Sequence, residues 1–331
     1  MIEAATTTQS VTRLQQDVEQ FLHWLQSQGY HFHTISPASH AAYLKRVQKS
    51  QANNLTDAFG WSLPFQASLL PPAIFESLVA HQLLSQKPDQ RIGEQDNLWQ
   101  SHIRVSSLYD CLFIHSAYPT SQDNAVFFGP DTYRFIYALH QHLAIKQPRI
   151  QHAIEICSGG APAAITLARY APQADVIAVD INELALQYAA INAQHNQANN
   201  VRTVCSNLYQ QVEGQFDFIT ANPPYLVDAE QRLYRHGGEL MGAELSLKIV
   251  KASLDRLAVH GTLLLYTGVV IAQGQDLLHQ ALKSYLAPRH QLFSMDYQEI
   301  DPDIFADELD APGYPDAERI AAVVAVITRL V

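Results

Sequence analysis

A strand, a tight glycine turn and a helix follow one another from residue 153 to residue 170, and this unit constrains the fold most. Ala153–Ile156 is short and apolar, Cys157–Ala161 predicts a turn, and Pro162–Tyr170 predicts the start of a helix. A second apolar strand, Val176–Val179, ends on Asp180, about 20 residues after the glycine turn, the usual offset of a carboxylate that meets a ribose. This order predicts an α/β sheet with a nucleotide-cofactor site at its strand ends.

Further strand ends extend the pattern. A third unit closes near Asn207-Leu208, and the apolar strand Phe216–Thr220 runs into the tetrapeptide Asn222-Pro223-Pro224-Tyr225. Paired prolines also end strands for purely structural reasons. Their position after an apolar fourth strand of this sheet favours a catalytic loop.

The tetrapeptide suits chemistry on a planar nitrogen. An amide or exocyclic amino nitrogen is a poor nucleophile because its lone pair is delocalised. Two acceptors aimed at its hydrogens, the side-chain oxygen of Asn222 and the carbonyl of Pro223, would stabilise the positive charge that develops there. Proline fixes the carbonyl direction, and the ring of Tyr225 offers a flat face for a planar amide or base.

Together these residues resemble the class I S-adenosylmethionine (SAM) dependent methyltransferases that carry an Asn-Pro-Pro-Tyr motif, and most of all the HemK/PrmC-type glutamine N5-methyltransferases of release factors. The turn from Glu155 to Ala161 follows the family pattern with mild changes at Ser158 and Gly160, and Ala161 replaces the last glycine. Asn207 stands where the family usually has an acidic residue. The resemblance implies a Rossmann-like sheet of seven strands whose last strand is reversed.

The resemblance also implies the residues of the site. The cofactor SAM would contact Glu155, Cys157, Gly159, Gly160, Asp180, Ile181, Asn207 and Leu208, and the catalytic residues would be Asn222, Pro223, Pro224 and Tyr225. The two glycines would let the backbone approach the methionine part, and Asp180 would accept the ribose hydroxyls.

Two more segments match the family outside the cofactor half. Residues 127–132 resemble its Pro-Arg-Pro-x-Thr segment without the arginine, which places Phe128, Asp131 and Thr132 at the substrate entrance. Residues 235–244 resemble the glycine-rich segment that follows the motif. The resemblance covers residues 126–331, which we expect to be the methyltransferase domain.

Residues 1–125 are expected to form a mainly helical accessory domain for substrate recognition. Apolar residues recur at helical spacing in 9–28, 40–49 and 71–83, and two strands, 102–108 and 111–115, predict a small β ribbon. One interpretation is a winged-helix-like module that holds nucleic acid or protein. The other is a domain that packs on the catalytic sheet.

Net charge and composition restrict the kinds of partner and the location that we expect. The formal charge of −11 argues against unspecific binding to phosphate backbones, although not against a structured RNA. No apolar run is long enough for a membrane span, and the N-terminus has no signal-peptide pattern, so a cytoplasmic location is expected. The three cysteines are expected to be buried thiols, and the 15 histidines show no metal-ligand spacing. The acidic insertion 301–316 is interpreted as a solvated loop or, alternatively, a substrate-contacting lid.

We therefore expect a SAM-dependent N-methyltransferase. The favoured acceptor is a glutamine amide of a protein, such as a translation factor. The alternative is a base amino group in ribosomal or transfer RNA, reached by base flipping. A further alternative is a SAM-binding module without catalysis.

Overall fold

A computed structural model describes residues 2–87, 97–120, 122–228, 232, 234–310, 313–314 and 316–331. The chain packs as two compact units. The first is Met1–Ser121 with Val126–Pro130 and Ala190–Gln197, and the second is Gln122–Ala125 with Asp131–Ala189 and Ala198–Val331. The domain boundary after residue 125 and the recognition role of residues 1–125 stay predictions.

The first unit combines helices with short strands. Its elements are α1 (Ile2–Ser27), α2 (Pro37–Val47), α3 (Leu55–Phe59), β1 (Phe65–Gln66), α4 (Pro72–Ala80), β2 (Leu84–Gln86), β3 (Leu98–Ser101), β4 (Ile103–Leu108) and β5 (Cys111–Ser116). The predicted ribbon is the antiparallel pair β4–β5, with Tyr109 in its turn at a φ of 52°. The sequence did not reveal the three-stranded sheet β1-β3-β2. Most of the segment between β2 and β3 lies outside the described residues.

The elements from residue 130 onwards alternate between strand and helix. They are α5 (Pro130–Lys146), β6 (His152–Ile156), α6 (Pro162–Tyr170), β7 (Asp175–Asp180), α7 (Glu183–His195), β8 (Val201–Cys205), β9 (Phe216–Ala221), α8 (Glu244–Leu254), β10 (Leu257–Ala272), β11 (Gln275–Asp276), α9 (Leu277–Leu286), β12 (Phe293–Asp301) and β13 (Ala317–Arg329). Single 3-10 turns lie at Ala67–Leu69, Ala287–Arg289 and Ala306–Glu308.

Seven of these strands form one sheet in the order β12-β13-β10-β9-β6-β7-β8, and β11 pairs with the end of β10. Strand β13 runs antiparallel to both of its neighbours, β10 and β12, whereas the pairs from β10 to β8 are parallel. The predicted Rossmann-like sheet of seven strands with a reversed last strand is confirmed. The chain winds outwards through β7 and β8 and then returns to β9 on the other side of β6, which creates a switch point between β6 and β9.

The central strands are covered on both faces. Leu263, Leu264, Leu265 and Tyr266 of β10 are all fully buried, as expected of a strand inside an α/β sheet. Apolar residues of α8 and α9 join the core on one face, among them Ile249, Leu278 and Leu282. No helix of the described residues has the length and apolar character to span a bilayer.

Candidate active site

The carboxyl ends of three neighbouring strands bring the predicted site residues to one edge of the sheet. Ile156 of β6 pairs with Ala221 of β9 on one side and with Val179 of β7 on the other. The glycine turn after β6 therefore leaves the sheet between the Asn222 loop and Asp180. In open α/β sheets, the crevice outside such a switch point is where ligands bind.

The glycine turn leaves space for a ligand beside Gly159. This residue has a φ of 50°, and a Cβ added to it would meet no heavy atom within 4 Å. The glycine is therefore not required by packing, and the open space fits the close approach that the methionine part of SAM needs. Ala161, fully buried, takes a φ of 62° at the start of α6. A left-handed backbone costs a residue with a Cβ about 1 kcal/mol. The alanine that replaces the family's glycine therefore destabilises this turn by about that amount.

Asp180 is fixed by backbone donors and still has lone pairs to offer. Its Oδ2 accepts the N–H of Gly159 at 2.8 Å and its Oδ1 accepts the N–H of Asn182 at 3.0 Å. Burial raises the pKa of Asp180, and these N–H groups oppose that rise. Because an ionised carboxylate can accept about four hydrogen bonds and the N–H of Ile181 also interacts with this one, an acceptor position remains for a ribose hydroxyl.

Three residues beside Asp180 fit an adenine ring. Ile181 is 51% exposed, which offers an apolar surface to a flat ring. Asn207 is exposed, and its side chain forms no hydrogen bond with the residues that the structure describes. Leu208 follows it with a φ of 52°. These residues, with Asp180 and Gly159, are suited to SAM.

Glu155 is placed differently from the rest of the predicted cofactor set. Its carboxylate is buried and accepts the N–H groups of Ala164 at 2.7 Å and Ala163 at 3.3 Å, in the first turn of α6. Burial raises the pKa of Glu155 to about 8. Its predicted contact with the amino-acid part of SAM stays a prediction, as does that of Cys157, whose thiol pKa is raised by burial. Gly160 is buried in the same turn.

Asn222 presents an unused amide at the end of β9. The residue is half-buried, and its side chain forms no hydrogen bond within the described part of the chain. Pro223 is buried and Pro224 half-buried. An amide oxygen without a partner at this edge can accept a hydrogen from an incoming N–H group.

Tyr225 is held more tightly than the sequence predicted. It is only 8% exposed, and its hydroxyl donates to Oδ2 of Asp131 at 2.6 Å. A Cβ at Gly268 would lie 3.0 Å from Cζ of this ring and closer still to Cε2 and Cδ2. The open stacking face expected of Tyr225 is therefore largely covered in this structure.

The glycine-rich segment is shaped around the backbone of Tyr225. A Cβ at Gly237 would lie 2.6 Å from Cα of Tyr225, and one at Gly242 would lie 2.7 Å from its carbonyl carbon. Gly242 also has a φ of 91°. Backbone hydrogen bonds from Leu226 to Arg235 and from Gly237 to Leu226 hold the segment in place. These glycines are needed because no side chain fits there.

Asp131 joins Tyr225 to a second tyrosine. Its buried carboxylate accepts the hydroxyl of Tyr266 at 2.5 Å through Oδ1, and Arg134 donates to the same oxygen at 3.3 Å. Burial raises the pKa of Asp131, and the two tyrosines and Arg134 oppose the rise. Sequence reasoning missed Tyr266. A tyrosine at the end of an apolar run needs a partner for its hydroxyl, and that was the available signal.

The other two residues predicted at the entrance lie elsewhere in the packing. Thr132 is buried in the first turn of α5. Phe128 belongs to the first unit, where its ring lies 5.4 Å from that of Phe113 and 5.2 Å from that of His115. Their predicted role at the entrance stays a prediction.

The acidic insertion contacts the motif loop. The ring of Phe305 lies 6.2 Å from that of Tyr225, edge to face, and the hydroxyl of Tyr314 accepts the N–H of Val227 at 2.6 Å. Glu308 forms an ion pair with Arg235. Residues 311, 312 and 315 lie outside the described residues. The insertion is thus anchored to the motif loop, and its role as a lid stays a prediction.

In the described part of the chain, no three His, Cys, Asp or Glu side chains lie close enough together to hold a metal ion.

Comparison with known proteins identifies the cofactor half. Residues 137–286 match the family described as the methyltransferase small domain. A ribosomal protein uL3 glutamine methyltransferase of Xanthomonas campestris is 34% identical over 130 residues, 36% of this chain and 42% of the relative. A release factor glutamine methyltransferase of Mycolicibacterium smegmatis is 31% identical over 91 residues, 27% of this chain and 32% of the relative. The chain thus covers less than half of either curated relative.

The crystal structure of a methyltransferase from Pyrococcus furiosus is similar over 59% of this chain and 82% of its own, with 20% identity and a TM-score of 0.40. That likeness is partial, and the fold assignment rests on the strand order described above. Residues 137–286, a little under half of the chain, are thus similar to the methyltransferase small domain, in agreement with the resemblance to SAM-dependent methyltransferases expected from the sequence.

Proposed function

We propose that this protein transfers the methyl group of SAM to the side-chain amide nitrogen of a glutamine in a protein substrate. The observation that carries the proposal is the side-chain amide of Asn222 at the end of β9, which has no hydrogen-bond partner among the described residues and lies beside the open glycine turn at the end of β6. Bound SAM would supply a methyl group on a positively charged sulfur. The chain has to supply the acceptor's position and its electrostatic surroundings.

Two acceptors would hold the substrate amide. The side-chain oxygen of Asn222 and the carbonyl of Pro223 would each accept one of its hydrogens, which directs the nitrogen lone pair at the methyl carbon. Positive charge would develop on the substrate nitrogen during methyl transfer, and the two oxygens would stabilise it. One N–H hydrogen would then pass as a proton to water. The fixed φ of the proline keeps its carbonyl in place throughout.

The packing of Tyr225 favours a narrow acceptor. A purine stacked on this tyrosine needs an open ring face, yet the residue is 8% exposed, with Gly268 against its ring and Phe305 at 6.2 Å. A primary amide needs far less of that face. Two of the similar proteins are named as methyltransferases of a glutamine in ribosomal protein uL3 and in a release factor, which supports the same acceptor and a substrate from the translation apparatus.

The acceptor is tested by incubating the purified protein with radiolabelled SAM and separate protein and RNA fractions from a methylation-deficient extract. We expect label in the protein fraction, and we expect Asn222→Ala to abolish it. Asn199→Ala, at an exposed turn, serves as the matched control and should keep full activity. Label in RNA alone would move the acceptor to a base amino group. Tight SAM binding without transfer to either fraction would leave a binding module without catalysis.

A further inference from the structure

A buried carboxylate stands at the meeting point of three elements of the second unit. Asp131, in the first turn of α5, is 3% exposed. Tyr225, after β9, donates to its Oδ2 at 2.6 Å, and Tyr266, on β10, donates to its Oδ1 at 2.5 Å. Arg134 bridges outwards from Asp131 to Asp301, whose carboxylate it meets at 2.8 Å. The motif tyrosine is thus one of two hydroxyls fixed by one acceptor.

Burying this carboxylate costs more free energy than filling the same volume with apolar side chains. Removing a carboxylate from water costs several kcal/mol, which hydrogen bonds only partly offset. Two phenylalanines and an apolar residue would fill the same volume without that cost. A carboxylate that accepts from both sides does what apolar packing cannot, because it fixes the position of each hydroxyl, and so the direction of each ring's long axis, and the distance between the two strands' ends.

We propose that Asp131 is a positioning residue for methyl transfer, which acts through Tyr225 by locking its ring against Gly268. Through that ring it sets the direction of the Asn222–Tyr225 loop. The inference rests on the proposed function, since only the motif loop gives this ring a part in the reaction. It also revises the expectation that Asp131 meets the substrate at the entrance.

Enzyme kinetics on a set of four variants tests the positioning role. Asp131→Asn and Tyr225→Phe should each lower kcat by about 10- to 100-fold, the cost of a reacting group displaced by roughly 1 Å. The double variant should fall no further, because both changes remove the same interaction. SAM affinity should stay unchanged. Tyr297→Phe is the matched control. Tyr297 lies on strand β12, and its hydroxyl donates to Oδ2 of Asp276 at 2.6 Å. This variant should keep the wild-type kcat.

Multiplying losses in the double variant would overturn the proposal, and so would a fall in melting temperature with kcat and KM intact. Tyr225→Phe keeps the test usable if Asp131→Asn does not fold, since it removes only one oxygen.

A second readout does not need an acceptor substrate. With 3-fluorotyrosine in place of tyrosine, the transverse relaxation of the fluorine signal reports how freely the ring moves: a held ring relaxes with the tumbling of the whole protein, whereas a mobile ring relaxes more slowly. The Tyr225 signal, assigned by its absence in Tyr225→Phe, should relax more slowly in Asp131→Asn than in the wild type. The relaxation of the Tyr297 signal should not change. Unchanged relaxation of the Tyr225 signal would contradict the inference even if methyl transfer to protein is demonstrated, and slower relaxation would support it even if the acceptor proves to be RNA.

Discussion

Gly268→Ala should displace the ring of Tyr225 and lower the turnover rate without changing any residue of the motif. The new Cβ would lie 3.0 Å from Cζ of Tyr225 and closer still to two other ring carbons, whereas ordinary contact begins at 3.4 Å. Gly268 lies inside β10, paired to Ala322 of β13, so its backbone has little freedom to retreat. The ring of Tyr225 therefore has to give way.

The size of the effect follows from that displacement. Restoring ordinary contact for the nearest ring carbons needs a shift of about 1 Å. Added to the 2.6 Å hydrogen bond to Asp131, the shift stretches it beyond about 3.5 Å, where it no longer counts as one. Overpacking costs about 1–3 kcal/mol of the free energy of unfolding. The lost bond to a charged acceptor accounts for part of the same cost, since such bonds contribute about 1.5–3 kcal/mol.

The assay measures stability and turnover side by side. Gly261→Ala is the matched control. Gly261 lies on the same strand as Gly268 but away from the motif, and a Cβ added to it would lie 2.7 Å from the carbonyl oxygen of Phe216. Both variants should lose stability in urea, and Gly268→Ala alone should also lose kcat, by about 100-fold. Equal kcat values for the two variants would refute the claim that the ring of Tyr225 must stay where it is.

Gly159→Ala should weaken SAM binding in calorimetry, since the new Cβ enters the open space. Gly274 has a φ of 69° and equally open surroundings, so Gly274→Ala should lose about as much stability as Gly159→Ala and still bind SAM normally. The folded-state pKa of Glu155, about 8, lies above its ordinary 4.5, so folding takes up a proton between these values and stability falls as pH rises through them. Urea unfolding should show a pH slope, at most about 1.4 kcal/mol per unit, that Glu155→Gln removes; an identical slope in that variant would contradict the burial argument. Phe305→Ala should raise the KM for the acceptor and leave SAM binding unchanged, whereas Leu309→Ala in the same insertion should alter neither.

Much of the sheet was predictable because its signals are local. The apolar run before Cys157, the glycine turn and Pro162 determine strand, turn and helix within a few residues, and α6 begins at Pro162, where the sequence indicated. The length of strand β10 has no such local signal, since its pairing with β13 continues to Ala272, far past the last pair with β9. Strands of two to four residues in the first unit leave too little periodicity to detect.

The residues of the candidate site also differ in how far the sequence predicts them. Asn222 and Asp180 can be identified by residue type and by spacing along the sequence. The partners of Tyr225 come from distant parts of the chain: Asp131 lies 94 residues before it, and Gly268 lies on the next strand. Only the folded chain shows that the hydroxyl and the ring of this tyrosine are already engaged.

The central claim is that the Asn222 loop methylates a glutamine amide. The most direct measurement is mass spectrometry of the labelled protein acceptor after reaction with SAM, comparing the wild type with Asn222→Ala at equal SAM occupancy. We predict N5-methylglutamine in the wild-type reaction and none with the variant. Methylation on any other residue, or an equal yield of N5-methylglutamine from the variant, would contradict the account.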